Sequence, residues 1–259
     1  MKIGIFDSGL GGLFLMKPIV EALPQYDYIY LGDTANLPYG EKSPKDVYNL
    51  ALAGVRYLFR HDCALVLVMC NTISAEALRK LQGEGFRALG IIIPTVEEVR
   101  GKRIGVLATQ GTVNSETYIK EIHKLLPHAQ VFQQPAPKLV PIIESGKRVS
   151  DTLLRRYLEP LLSHNIDTLI LGCTHYVVLK NQIRELVPKN VVTISQDELI
   201  ANKVSDYLNR HSEIKSLLSK GGTRDYCVTK LTPYLFNSKH PWLESIGNFD
   251  SSVFRLVVL

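Results

Sequence analysis

The chain has 259 residues, 46% of them hydrophobic and 21% charged, enough to bury a sizeable core in one large domain or two small ones. Thirty basic against 25 acidic residues give a net charge of +5, but the basic groups are scattered and the densest clusters, "RGKR" at 100–103 and "GKR" at 146–148, are short. A dedicated nucleic-acid surface needs a longer basic stripe interleaved with aromatics, so none is expected; what remains is a weak bias toward anionic small molecules.

The opening stretch "MKIGIFDSG" enters a strand-like run at once, so no signal peptide is expected there. Short β-branched runs then alternate with helical patterns. "KIGIF" and "DYIYLG" read as strands, followed by a helix from Pro44. That helix has Ser43 at its cap, Pro44 in its first turn, Asp46 near its positive end, and Val47, Leu50, Ala51, Val55 and Leu58 on one face. "ALVLVMC", a helix, "ALGIII", "RIGVLAT", a helix, "TLILGC", a helix, "NVVTIS" and a last helix complete the series. Continuous apolar strands separated by crossover helices define an α/β fold, with mainly parallel sheets covered on both faces. No apolar run approaches the roughly 20 residues of a membrane span. Cys63, Cys70, Cys173 and Cys227 form no CxxC pair and have no zinc-like Cys/His spacing. Neither a disulfide nor a structural metal is expected, and a reducing cytoplasm is the default setting.

The series repeats itself. "KIGIFDSG" from Lys2 matches "RIGVLATQ" from Arg103, and "LVLVMCNT" at 65–72 matches "TLILGCTH" at 168–175. Gly4 and Gly105 lie 101 residues apart, and Cys70 and Cys173 lie 103 apart. Near-equal offsets predict two similar α/β halves, each with a first strand ending in a polar loop and a later strand ending in cysteine. The second half starts near Glu97, and with no Ser/Gly linker between them the halves should pack closely.

In parallel sheets, ligands bind outside the carboxyl ends of the strands, where loops lead into helix N-termini. Asp7 and Ser8, Cys70 with Asn71 and Thr72, Thr109 to Thr112, and Cys173 with Thr174 and His175 all fall there. Facing halves would bring two thiols toward one cleft. Backbone N–H groups at helix N-termini, with Ser, Thr and Asn side chains, make carboxylate seats without arginine. The same N–H groups are expected to lower a neighbouring thiol's pKa from about 8.5 toward neutrality. Asp7 is the candidate proton partner for Cys70, and His175 for Cys173. Two opposed thiols suit the removal of a proton from one face of a carbon and the return of another to the opposite face.

The motifs "IFDSGLGG", "GDTANLPYG", "VMCNTISA", "TQGTVNSETY", "LVPIIESG" and "LILGCTHY" resemble, in that order, those of the cofactor-independent glutamate racemases. The resemblance runs from Lys2 to about Leu186, and "DYCVTKLTP" from Asp225 is similar to the family's late strand. It implies two α/β domains sandwiching glutamate, residues 1–96 with 206–259 forming the first and 97–205 the second. It implies Cys70 and Cys173 as the acid/base pair, with no pyridoxal phosphate or metal, Cys173 deprotonating L-glutamate and Cys70 D-glutamate, assisted by His175 and Asp7 respectively. Asp7, Ser8, Tyr39, Gly40, Asn71, Thr72, Thr174 and His175 match its substrate-contact motifs, and Thr112 and Glu144 are expected to line the same cleft. D-Glutamate would feed bacterial peptidoglycan synthesis. Homodimers are common among members, so a homodimer is a further expectation.

Three departures from the family pattern stand out. Val177 occupies a usual proline position, Met69 replaces a small residue before Cys70, and "SQDEL" from Ser195 lacks the usual glycine-containing turn. Rival readings are an aspartate racemase of the same fold, disfavoured by the histidine in "GCTH", a thiol hydrolase using Cys173 and His175, and an α/β protein that binds an amino acid without turning it over.

Overall fold

A computed structural model describes residues 1–231 and 253–259. Two all-parallel sheets carry the architecture. The first contains β1 (Lys2–Asp7), β2 (Tyr28–Gly32), β3 (Cys63–Val68), β4 (Ala88–Gly90) and, after a long excursion, β9 (Arg224–Val228) and β10 (Phe254–Leu256), in the order β10-β9-β2-β1-β3-β4. The second contains β5 (Arg103–Ala108), β6 (Gln130–Pro135), β7 (Thr168–Gly172) and β8 (Val192–Ile194), in the order β6-β5-β7-β8. Every residue of β2, β3 and β7 is buried, as continuous apolar runs in a doubly covered parallel sheet must be. Each large aliphatic side chain sealed there contributes about 1.5–3 kcal/mol.

Strand register turns the sequence repeat into a structural one. In the first sheet Gly4 of β1 pairs with Val66 of β3, and Cys70 follows four residues later. In the second, Gly105 of β5 pairs with Leu169 of β7, and Cys173 follows four residues later. The two thiols therefore leave equivalent strands at equivalent heights, one from each sheet. A continuous core joins the halves, with Leu10, Leu13 and Phe14 in the same cluster as Leu139, Ile143 and Tyr176, so the close packing expected from the missing linker is present.

The helix Pro44–Arg60 forms as its sequence dictates. Ser43 Oγ accepts the Asp46 N–H at the N-terminus, and Val47, Ala51, Val55 and Leu58 are buried; Leu50 is half-buried at the margin of the same cluster. Two sequence expectations change. "ALGIII" ends its strand at Gly90, and Ile92 and Ile93 open the short helix Ile92–Val96 that leads toward the second sheet. A strand absent from the sequence reading, β6, pairs with β5 along its whole length. Its sequence "QVFQQP" is polar and mostly half-buried, so it offers neither an apolar run nor an alternation. "DYCVTKLTP" contributes β9 through Val228, and its residues 232 and 233 lie outside the described residues.

Candidate active site

The site lies at the carboxyl ends of β1, β3, β5 and β7, where the two sheets face each other. A cavity there is lined by Ser8, Tyr39, Gly40, Cys70, Asn71, Thr72, Thr109, Cys173, Thr174 and His175, with Leu37, Pro38, Glu41, Gln110, Ala136, Pro137 and Val140 closing its walls. Nine of the twelve site residues that the family resemblance implies thus converge on it. Asp7, Thr112 and Glu144 stand behind this lining and act on it through hydrogen bonds. Both cysteines are 5% exposed.

Cys70 caps the helix Asn71–Glu76 in extended conformation, and its Sγ donates to Ser8 Oγ at 3.4 Å. The expectation of a lowered thiol fails here. Burial, then the neighbouring Asp7 charge, pushes the Cys70 thiol up to about 12, against the smaller opposing pull of Ser8 and the Ile73 N–H. One helix turn's dipole does not offset removal of the sulfur from water. Asp7 is itself fully buried, and desolvation lifts its carboxyl to about 6 despite the nearby His175 charge, the Gly9 N–H at 2.7 Å and Thr174 Oγ1–H at 3.2 Å. Asp7 therefore titrates near neutrality beside Cys70, as a proton partner must.

On the opposite side, Cys173 Sγ lies 3.8 Å from His175 Nδ1, and His175 Nε2 pairs with Glu144 Oε1 at 2.5 Å. Burial alone would lower the imidazole, but its hydrogen bonds to Cys173 and Glu144 and the Glu144 charge outweigh it, and His175 is raised well above the usual histidine range. Glu144, expected to line the cleft, instead stands behind it and holds the imidazole. Thiol, imidazole and carboxylate thus stand in series.

The halves are held by cross-cleft contacts. Thr72 Oγ1 meets Thr109 Oγ1 at 2.9 Å, and Thr109 in turn donates to Thr112 Oγ1 at 3.0 Å, so Thr112 supports the lining from behind. Tyr39 spends its hydroxyl on Asp33 Oδ2 at 2.5 Å, which leaves its ring and the Tyr39–Gly40 backbone to face the cavity. The "GLGG" turn admits the second half closely. A Cβ at Gly11 would lie 2.5 Å from Thr174 Oγ1 and 2.7 Å from His175 Nδ1. Gly11→Ala is accordingly expected to displace His175 and lower turnover by about 10²-fold, since misplacing a catalytic group by about an ångström costs that much; steady-state kinetics check it, and a wild-type rate would show that the turn yields freely.

Sequence reasoning missed Ala136 and Pro137, which follow the unrecognised β6, and Gln196 and Tyr118, which reach Asn71 from the second half. Among the described residues, no group of three His, Cys, Asp or Glu side chains is placed to hold a metal ion, and no helix is long and apolar enough to cross a membrane.

Fold and site together define a two-sheet α/β enzyme with a thiol presented from each half to one small cavity. The family described as Asp/Glu/Hydantoin racemase matches residues 6–197. The glutamate racemase of Geobacter metallireducens is 40% identical over 235 residues, spanning 88% of this chain and 87% of its own. The crystal structure of glutamate racemase from Francisella tularensis in complex with D-glutamate superposes with a TM-score of 0.87 at 30% identity, covering 99% of this chain and 97% of that one. An aspartate racemase from Picrophilus torridus shares the fold at 21% identity and a TM-score of 0.52. The chain belongs to the Asp/Glu/hydantoin racemase family and, within it, to the glutamate racemases, which are isomerases.

Proposed function

We propose that this protein interconverts L- and D-glutamate by two-base proton transfer, with Cys173 taking the α-proton of L-glutamate and Cys70 that of D-glutamate. The observation that carries this reading is the register equivalence of the two thiols at one cavity. Two half-sites related by a repeat suit two mirror-related substrates. In the L-to-D direction Cys173, relayed to Glu144 by His175, removes the proton; Cys70, kept protonated by burial, returns one to the other face. In the reverse direction the roles exchange, and neutral Asp7 removes the charge that opposes Cys70 ionisation. First-turn N–H groups after Cys70 and Cys173, with Ser8, Thr72 and Thr174, seat the substrate carboxylates. The free space between the thiols is about 30 Å³, room for little more than a water molecule, so substrate enters when the halves part and reacts when they close.

We take residues 1–96 with 206–259 as one unit and 97–205 as the other, a division supported by β1–β4, β9 and β10 lying in one sheet and β5–β8 in the other. On this reading the product would serve peptidoglycan synthesis in the cytoplasm of a bacterium. The choice of glutamate over aspartate rests on the 40% identity to a named glutamate racemase across 88% of this chain.

Circular dichroism of the purified protein with L-glutamate, then separately with L-aspartate, tests the substrate. Run in D₂O, the D-glutamate first formed should carry deuterium at Cα while recovered L-glutamate stays largely protiated. Each thiol exchanges with solvent between turnovers, and the thiol that took the proton cannot deliver it to the other face. Substrate protium retained in the product would mean a single base.

A further inference from the structure

The "SQDEL" loop from Ser195 places Gln196 at the centre of the contact between the halves. Gln196 is 1% exposed and follows β8 of the second sheet. Its carboxamide forms a reciprocal pair with that of Asn71: Asn71 Nδ2 donates to Gln196 Oε1 at 2.9 Å, and Gln196 Nε2 donates to Asn71 Oδ1 at 3.0 Å. Gln196 Nε2 also lies 3.1 Å from Thr95 Oγ1 and 3.2 Å from the Tyr118 hydroxyl, which itself donates to Asn71 Oδ1 at 2.8 Å. One side chain thereby joins three elements: the turn that carries Cys70, the helix Ile92–Val96 that leads from the first sheet to the second, and the helix Thr117–Leu125 of the second half.

Asn71 adjoins Cys70, so whatever fixes its carboxamide fixes the direction of the Cys70 side chain. Asn71 Oδ1 accepts from Gln196 and Tyr118, and Asn71 Nδ2 donates to Gln196. The carboxamide therefore anchors the turn that carries Cys70. A reciprocal amide pair has one geometry, unlike a single hydroxyl contact, and when buried its members cannot exchange for water without leaving unpaired groups.

We propose that Gln196 is a positioning residue that sets the approach of Cys70 to the α-carbon by locking Asn71 to the second half each time the halves close. This rests on the glutamate racemase reading. Gln196 does not line the cavity, so its effect should fall on the chemical step and leave substrate affinity nearly unchanged.

The test uses Gln196→Met, which keeps volume and deletes every hydrogen bond, and Gln196→Glu. Gln196→Met should lower kcat by about 10²-fold with KM little changed, the scale expected when a reacting group is misplaced by about an ångström. The primary isotope effect on Cα-deuterated D-glutamate, the enantiomer assigned to Cys70, should rise, because proton transfer becomes more fully rate-limiting. Fewer correctly folded molecules would leave that isotope effect where it was. Gln196→Glu adds a pH signature: as a neutral acid it donates to Asn71 Oδ1 and accepts from Nδ2, restoring the pair, and on ionising it loses the donor and repels Oδ1. Its kcat should approach wild type at low pH and fall as pH rises, in a step the wild type lacks. An active wild type accompanied by a Gln196→Met variant of normal kcat and isotope effect overturns the positioning role alone. Should Gln196→Met fail to fold, a Gln196→Glu profile parallel to wild type overturns it equally. A wild-type protein that leaves glutamate unchanged overturns the racemase reading and the positioning role with it.

Discussion

Replacing either Cys70 or Cys173 with alanine is expected to lower turnover in both directions by about 10³-fold or more, within the range that one positioned acid or base supplies. On the two-base reading both directions suffer, because each needs one thiol to take the α-proton and the other to supply one, and the reverse reaction runs the same steps backwards. The thiols differ in surroundings, so the two variants fail differently. Without Cys173, the Glu144–His175 pair loses the sulfur 3.8 Å from Nδ1 and has nothing through which to act on substrate. Without Cys70, the carbanion formed by Cys173 has no donor on its far face and returns its proton to where it came from. Cys70→Ala should therefore still exchange the α-proton of L-glutamate slowly with D₂O while forming almost no D-glutamate. Stability should change little. Removing one sulfur from a site at a cavity wall costs about 1 kcal/mol, a shift of roughly 2–4 °C in Tm for a chain of this size. Racemisation assays with calorimetry check both halves of the expectation. A Cys70→Ala protein with near-normal rates would remove the two-base mechanism.

The cysteines were legible because the physics that buries a strand also marks where it ends. An unbroken apolar run such as "ALVLV" must stop where the sheet meets solvent or a ligand, and the polar residues that follow are the loop. β1, β3, β5 and β7 all have this form, and with them came Asp7, Cys70, Thr109 and Cys173. β6 did not, because it is only half-covered and its glutamines need no partner face. Ionisation was harder to read. The lowered thiol expected from a helix N-terminus is a local argument, and the burial that lifts Cys70 to about 12 is tertiary. Gln196 was invisible for the same reason. Nothing near "SQDEL" refers to Asn71, 125 residues earlier, and only the closing of one half on the other makes the pair. Glu144 lay between these cases, a carboxylate on the apolar stretch "LVPIIE" whose partner the sequence left open.

Glu144→Gln is expected to destabilise the protein by about 3–5 kcal/mol at mildly acidic pH, the cost of leaving one member of a buried ion pair without the other. His175 and Glu144 are both almost fully buried and 2.5 Å apart. The folded protein holds His175 well above its unfolded value of about 6.5. A group raised in this way stabilises the fold fully below its unfolded pKa, and the contribution is lost as pH rises through the folded pKa. The Tm difference between wild type and Glu144→Gln should thus be widest at or below about pH 6.5 and narrow above it. At high pH the histidine is neutral in both proteins, and the glutamine oxygen accepts the Nε2–H as the carboxylate did. Activity should fall by about 10²-fold near neutrality, the usual scale for losing a positioned acid/base group. With Glu144 gone, burial weighs more heavily against the charged imidazole, and on the proposed mechanism His175 no longer assists Cys173. Calorimetry across the pH range separates this from a packing defect. A gap in Tm that stays constant with pH would show that Glu144 fills space beside His175 without holding its charge.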